Sequence, residues 1–233
     1  MKYGEGTPAT AHPPKADKPK IGVFDSGVGG LSVAQAIEEA LPNYEVLYAT
    51  DKEHLPYGNK TPKQLHTYVV PILEELVRRG CEVIVIACNT VTTNIIATLR
   101  NEIKVPLVAI EPMVKPAAEL TKSGIIAVCA TPATLSSKRY QWLKDEYAKG
   151  VEVLEPDCSD WTQMIEDNQL DHQKIEDRIS EVCDQGADVI VLGCTHYHWI
   201  EDLIKDIVKD RAKVIQPEPA IVAQLKRVLA QLD

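Results

Sequence analysis

The chain reads as an α/β protein of two pseudosymmetric domains, each with a mostly parallel sheet, sharing a cleft between them. Three observations predict this. From Lys20 onward, short aliphatic runs alternate with longer amphipathic segments, the pattern of strands covered by helices. Aromatic residues are scarce, with one Phe, three Trp and eight Tyr in 233 residues, so the core must be built from Ile, Val, Leu and Ala. That is the composition of parallel strands buried on both faces. Finally, the sequence repeats itself. The run Cys81-Glu-Val-Ile-Val-Ile-Ala-Cys88 resembles Ala187-Asp-Val-Ile-Val-Leu-Gly-Cys194 at an offset of 106 residues, and Val23-Phe-Asp-Ser26 resembles Val128-Cys-Ala-Thr131 at an offset of 105. Two pairs at nearly one offset mark a duplication.

Taken in order, the first strand is Lys20–Phe24, followed by a glycine-rich turn and a helical segment Leu31–Ala40. Strand Glu45–Thr50 leads through Pro56-Tyr57-Gly58 to the amphipathic stretch Thr61–Arg79. Strand Glu82–Ala87, helix Asn89–Arg100 and strand Pro106–Ile110 complete the first repeat. The second repeat runs through strand Gly124–Cys129, helix Ser136–Lys149, strand Val151–Glu155 and helix His172–Gln185. It ends with strand Val189–Leu192, helix Tyr197–Lys209 and strand Lys213–Ile215. The strands are short and mostly apolar throughout, as expected of a buried sheet.

Composition excludes several classes. The chain has 25 Lys+Arg against 34 Asp+Glu, a net charge of −9, which disfavours a nucleic-acid partner because phosphate binding depends on clustered cations. The longest apolar stretches, such as Val83–Cys88, fall far short of the ~20 residues a membrane helix needs, so no membrane partner is expected. Residues 1–19 carry four prolines and no apolar segment, and are expected to form a disordered tail. Six cysteines at this length are too sparse for a disulfide scaffold and read as reduced thiols of a cytoplasmic protein.

In parallel sheets, ligands bind beyond the carboxyl ends of the strands. Ser26, Cys88, Thr131 and Cys194 all stand at such ends, and the duplication brings them towards one cleft. Cys88 precedes a helix whose unpaired N–H groups and dipole are expected to lower its pKa. Cys194-Thr195-His196 repeats the arrangement and adds an imidazole. Two facing thiols supply a proton acceptor and a proton donor on opposite faces of a carbon, which inversion of a stereocentre requires. Cys81, Cys129, Cys158 and Cys183 lack symmetric placement and read as structural.

The turn Phe24-Asp-Ser-Gly-Val-Gly-Gly30 could cradle an anion on its backbone N–H groups, with Ser26 adding a hydroxyl. Asp51 lies at a strand end at the distance a dinucleotide fold would use, but Ser32 occupies the third glycine position, so that reading fails. Asp25 is either a solvated turn residue or a carboxylate that tunes a nearby base. Thr131 and Thr134 flank Pro132 and suit either helix capping or a carboxylate ligand. Cys194, His196 and His198 alternate as zinc ligands can, without the separated second pair such sites use, and no metal is expected.

Together, Asp25-Ser-Gly-Val-Gly-Gly-Leu31, Pro56-Tyr-Gly58, Ala87-Cys-Asn-Thr90, Thr131-Pro-Ala-Thr134 and Gly193-Cys-Thr-His-Tyr197 resemble the glutamate racemases of the cofactor-independent aspartate/glutamate racemase superfamily. The resemblance runs from about Lys20 to the C-terminus. It implies two pseudosymmetric domains, here 20–112 plus 215–233 and 113–214, with the active site between them. Cys88 would remove the α-proton of D-glutamate and Cys194 that of L-glutamate. Asp25 would assist Cys88, while His196 and the acidic Glu166 would assist Cys194. Ser26, Pro56, Tyr57, Gly58, Asn89, Thr90, Thr131, Thr134 and Thr195 would line the substrate site, together with Asp25, Cys88, Cys194 and His196.

The same resemblance implies no cofactor, a homodimer, and D-glutamate supplied to peptidoglycan in a bacterial cytoplasm. Ala130, Ser159, His198 and Gln216 depart from the residues usual at these positions, where Gly, Pro, Pro and Asp are found. An aspartate racemase, a non-catalytic amino-acid-binding protein and a zinc hydrolase remain as alternatives from the residues themselves.

Overall fold

The structure is a computed structural model and describes residues 18–232. Of the expected tail, residues 1–17 lie outside the described residues. Lys18 and Pro19 lie within them: Lys18 Nζ donates to Pro42 O at 2.8 Å, and Pro19 O accepts the Glu45 N–H at 2.9 Å.

The first half comprises β1 (Lys20–Asp25), α1 (Leu31–Ala40), β2 (Glu45–Thr50), a 3-10 turn (Tyr57–Asn59), α2 (Pro62–Arg78), β3 (Cys81–Ile86), α3 (Asn89–Glu102) and β4 (Leu107–Ala109). The second comprises α4 (Val114–Leu120), β5 (Ile125–Cys129), α5 (Pro132–Leu135), α6 (Lys138–Tyr147), β6 (Glu152–Leu154), α7 (Trp161–Glu166), α8 (His172–Asp184) and β7 (Val189–Leu192). A second 3-10 turn (Thr195–Ile200), α9 (Glu201–Val208), β8 (Lys213–Ile215) and α10 (Glu218–Leu229) follow.

Among the described residues, two four-stranded parallel sheets result, ordered β2-β1-β3-β4 and β6-β5-β7-β8. The orders are identical once β1 is matched to β5, as the sequence repeat requires. The register agrees as well. Phe24 pairs with Ile86 in the first sheet, and their repeat equivalents Cys129 and Leu192 pair in the second.

Packing follows the same symmetry. Ile84 and Ile86 of β3 enter one core and Val83 and Val85 the other, because side chains alternate across a strand. On β7, Ile190 and Leu192 face one core and Val189 and Val191 the other. Helix α10 returns to the first sheet, where Ile221, Leu225 and Leu229 join the core containing Val83 and Val85. Each such side chain contributes about 1.5–3 kcal/mol of burial free energy, enough to hold the C-terminal segment on the first half.

Several element ends differ from the sequence reading for local reasons. Thr61 is the N-cap of α2: its hydroxyl accepts the Gln64 N–H at 3.3 Å while Gln64 Oε1 accepts the Thr61 N–H at 2.9 Å, with Pro62 first in the helix. The helix expected at Ser136–Lys149 is α6 alone, two residues shorter at each end, because Ser137 caps it through the Tyr140 N–H. The helix expected from Tyr197 begins as a 3-10 turn and becomes α-helical only at Glu201, where two acidic residues favour a helix N-terminus. The sequence reading names no helix at α4, α5, α7 or α10; three of these are at most seven residues, too short for a clear helical period. Among the described residues, no helix is long and apolar enough to cross a membrane.

Candidate active site

Cys88 lies two residues beyond β3 and Cys194 two residues beyond β7, at equivalent points of the two halves. Both thiols are buried, at 5 % and 8 % exposure, and the negative charge of Cys194 is close enough to raise the pKa of Cys88. All six cysteines are free, and the other four are buried in cores.

The expectation that the helix would lower the Cys88 pKa is corrected. Burial, with the Asp25 charge adding to it, pushes the thiol up to about 12, against the opposing Val91 N–H and the Ser26 hydroxyl at 3.6 Å. Desolvation of a fully enclosed thiolate outweighs one helix terminus here. Cys88 is therefore a neutral thiol near neutral pH and suited to donating a proton.

Cys194 has a different environment. His196 Nδ1 stands 3.8 Å from its sulfur and the Thr162 hydroxyl 3.9 Å away. The other imidazole nitrogen, Nε2, lies 2.5 Å from Glu166 Oε1. Burial opposes the imidazolium, but Cys194, Asp25 and Glu166 together push His196 up to about 10. The imidazole thus supplies a positive charge beside Cys194. Tyr197 anchors the 3-10 turn that carries His196: it is fully buried, its hydroxyl donates to Cys158 O at 2.8 Å, and its ring meets Trp161 edge-on at 5.1 Å.

The glycine-rich turn does hold anions, but they are the chain's own carboxylates. The N–H of Gly30 donates to Asp25 Oδ2 at 2.8 Å, and that of Val28 to Glu166 Oε1 at 3.1 Å. Asp25 is fully buried and also accepts the Thr195 hydroxyl of the other half, at 3.2 and 3.3 Å. Burial raises its carboxyl above the usual range, opposed by the His196 charge and by backbone N–H groups of the turn. The glycines are needed for close packing. A Cβ on Gly29 would lie 2.5 Å from His196 N and 2.6 Å from Thr195 C, and one on Gly27 would collide with Glu166 and His196.

The Thr90, Thr131 and Thr134 hydroxyls contact one another across the halves. Thr90 Oγ1 lies 2.9 Å from Thr131 Oγ1, which donates to Thr134 Oγ1 at 3.0 Å. Thr131 also caps α5 through the Thr134 N–H at 3.3 Å, which is the capping reading of this threonine. Gly58 sits against Thr131, where an added Cβ would be 3.1 Å from Thr131 Cβ, and Pro56 immediately precedes the 3-10 turn of Tyr57. The buried Tyr57 donates its hydroxyl to Asp51 at 2.6 Å, giving Asp51 a structural use. Asn89 Oδ1 is buried and accepts no hydrogen bond among the described residues.

Thr162 is absent from the sequence reading, yet it precedes Glu166 by four residues on α7, a spacing that places both on one helix face. Tyr48 and Thr50, two residues apart on β2, both donate to Gly27 O, Thr50 at 3.1 Å. Strand alternation at a carboxyl end is the signal that could have found them. Cys194, His196 and His198 do not converge, because His198 turns to Glu218 while His196 turns to Glu166.

Two buried thiols at equivalent points of a duplicated fold are what is needed to take a proton from one face of a carbon and return one to the other, the chemistry of racemases and epimerases. The chain belongs to the Asp/Glu/hydantoin racemase family, whose model matches residues 21–225. It is 38 % identical over 216 residues to a glutamate racemase of Ectopseudomonas mendocina, covering 91 % of this chain and 82 % of that one. Its fold matches that of Escherichia coli glutamate racemase in complex with L-glutamate and the activator UDP-MurNAc-Ala, with a TM-score of 0.83 at 27 % identity, covering 91 % of this chain and 83 % of that one. Francisella tularensis glutamate racemase in complex with D-glutamate matches with a TM-score of 0.78 at 28 % identity, over 92 % and 82 % of the two chains.

Proposed function

We propose that the chain is a glutamate racemase that interconverts L- and D-glutamate by two-base proton transfer between Cys194 and Cys88. The observation that carries the reading is the equivalent placement of these two thiols in a duplicated fold, in unequal electrostatic surroundings. With L-glutamate, the Cys194 thiolate, beside the His196 imidazolium, takes the α-proton. The electron pair left on the α-carbon then takes the Cys88 proton on the other face, giving D-glutamate and a Cys88 thiolate. The reverse turnover exchanges these roles.

Asp25 acts on Cys88 through charge, and Glu166 holds His196. The unpartnered Asn89 Oδ1 suits the substrate ammonium. The hydroxyls of Ser26, Thr90, Thr131, Thr134 and Thr195, with the Pro56-Tyr57-Gly58 wall, suit the carboxylates. Because the thiols are buried, access requires the halves to part, and 20–112 plus 215–233 and 113–214 are the units proposed to move. Closure around the substrate excludes water and aims fixed dipoles at the developing charge. No cofactor enters this scheme. A homodimer in a bacterial cytoplasm, supplying D-glutamate to peptidoglycan, completes the reading.

The test is turnover of each glutamate enantiomer in deuterium oxide, following α-deuterium in the product. Racemisation with solvent deuterium in the product is expected, and Cys88→Ala and Cys194→Ala should each abolish it. Parent rates in both variants would falsify the scheme. Preferred turnover of aspartate would move the chain to the related racemase activity, and glutamate binding without α-exchange would make it a binding protein.

A further inference from the structure

Ser32, His198 and Glu218 meet outside the thiol site, where three segments of the chain converge. Ser32 lies in the first turn of α1, His198 in the 3-10 turn after Cys194, and Glu218 at the start of α10. The Ser32 hydroxyl donates to Glu218 Oε1 at 3.0 Å and lies 3.3 Å from His198 Nδ1. His198 Nδ1 is itself 2.7 Å from Glu218 Oε1, and their side chains are only 3 % and 10 % exposed.

This cluster is costly to bury. His198 Nε2 and Glu218 Oε2 have no hydrogen-bond partner among the described residues. Burial raises the Glu218 carboxyl, yet the His198 hydrogen bond and charge hold it below its usual range. Apolar side chains of similar volume would join the same segments without the desolvation penalty. What the polar trio adds is direction, since hydrogen bonds of fixed geometry set the orientation of each segment as well as its proximity.

The segment it orients carries the catalytic imidazole. His198 follows His196 by two residues in one 3-10 turn. Gly29, three residues before Ser32, is packed so tightly on the Thr195–His196 backbone that no Cβ fits. A shift of the turn at His198 therefore moves His196 against both Glu166 and Cys194.

We propose that Ser32, His198 and Glu218 form an anchor between the halves that seats His196 between Cys194 and Glu166. His198 and Glu218 are then positioning residues for proton transfer at Cys194, an inference that rests on the racemase reading above. His198→Ala and Glu218→Gln should lower kcat for L-glutamate about tenfold, with KM changed by less than about twofold, because orientation is lost while the substrate ligands remain. His198→Asn, which keeps an N–H near the Nδ1 position, should recover most of the rate.

A second measurement does not depend on turnover. Alkylation by iodoacetamide at neutral pH, resolved by peptide mass, should slow about tenfold at Cys194 in His198→Ala and stay unchanged at Cys88, since thiolate reactivity follows the neighbouring cation. General loosening of the fold would instead speed both thiols. A parent kcat in His198→Ala, or faster alkylation at both sites, overturns the anchor. If the parent protein racemises no glutamate, the racemase reading fails, and the alkylation comparison still decides whether the anchor seats His196.

Discussion

Glu166 Oε1 lies 2.5 Å from His196 Nε2 and also accepts the Val28 N–H at 3.1 Å. One carboxylate oxygen thus ties the imidazole of the second half to the glycine turn of the first. Glu166→Gln keeps the shape and removes the charge that favours imidazolium. Steady-state kinetics with L-glutamate should show kcat reduced about tenfold or more. An unchanged kcat would remove Glu166 from the proton-transfer machinery.

His196 also makes stability depend on pH. Its folded pKa of about 10 lies above the ordinary 6.5, so the folded chain keeps a proton that the unfolded chain releases. That contribution is fully present below about pH 6.5 and is lost as pH rises through about 10. The raised Cys88 thiol acts with the same sign, between its ordinary 9.0 and about 12. Urea midpoints should therefore fall from pH 7 to pH 10, and His196→Gln should flatten the slope over that range. A midpoint that rises with pH would contradict the assigned protonation states.

Asp25 is a cause of the high Cys88 pKa, second to burial. In Asp25→Asn the thiol should titrate at lower pH, seen as earlier onset of Cys88 alkylation in a pH series. Racemisation should weaken at the same time, because the amide keeps one acceptor oxygen where the carboxylate offers two, to the Thr195 hydroxyl and the Gly30 N–H. If the Cys88 titration stays in place, burial alone sets it.

Gly29→Ala places a Cβ against backbone of the other half, which cannot give way as a side chain can. A cost of about 1–3 kcal/mol and loss of turnover are expected. Gly58→Ala meets only the Thr131 side chain at 3.1 Å and should be milder in thermal melting. The reverse ranking would contradict the contact described between the glycine turn and Thr195–His196.

Thr90→Val removes one hydroxyl from the cluster with Thr131 and Thr134. A stability loss of about 1 kcal/mol is expected, with a raised KM for glutamate and a smaller change in kcat. An unchanged KM would separate this cluster from substrate binding.

All eight strands named from the sequence occur, three of them with the same ends, because buried parallel strands are written as uninterrupted aliphatic runs. The repeat between Cys81–Cys88 and Ala187–Cys194 reappears as identical strand order and matching register. The strand-end residues Ser26, Cys88, Thr131 and Cys194 were legible for the same reason: strand ends and motifs are local. Thr162 and the Ser32–His198–Glu218 cluster were not, because their partners lie in other segments of the chain. The use of the glycine turn also differed, its N–H groups being taken by Asp25 and Glu166.

The sequence by itself determined the α/β class, the duplication and the two candidate thiols, since aliphatic patterning and repeated motifs are properties of contiguous residues. Only the tertiary structure decided how the thiols differ. Burial and Asp25 make Cys88 a weak acid, and the Glu166–His196 pair places a cation beside Cys194. Desolvation and charge act through space, and the groups responsible come from both halves of the chain.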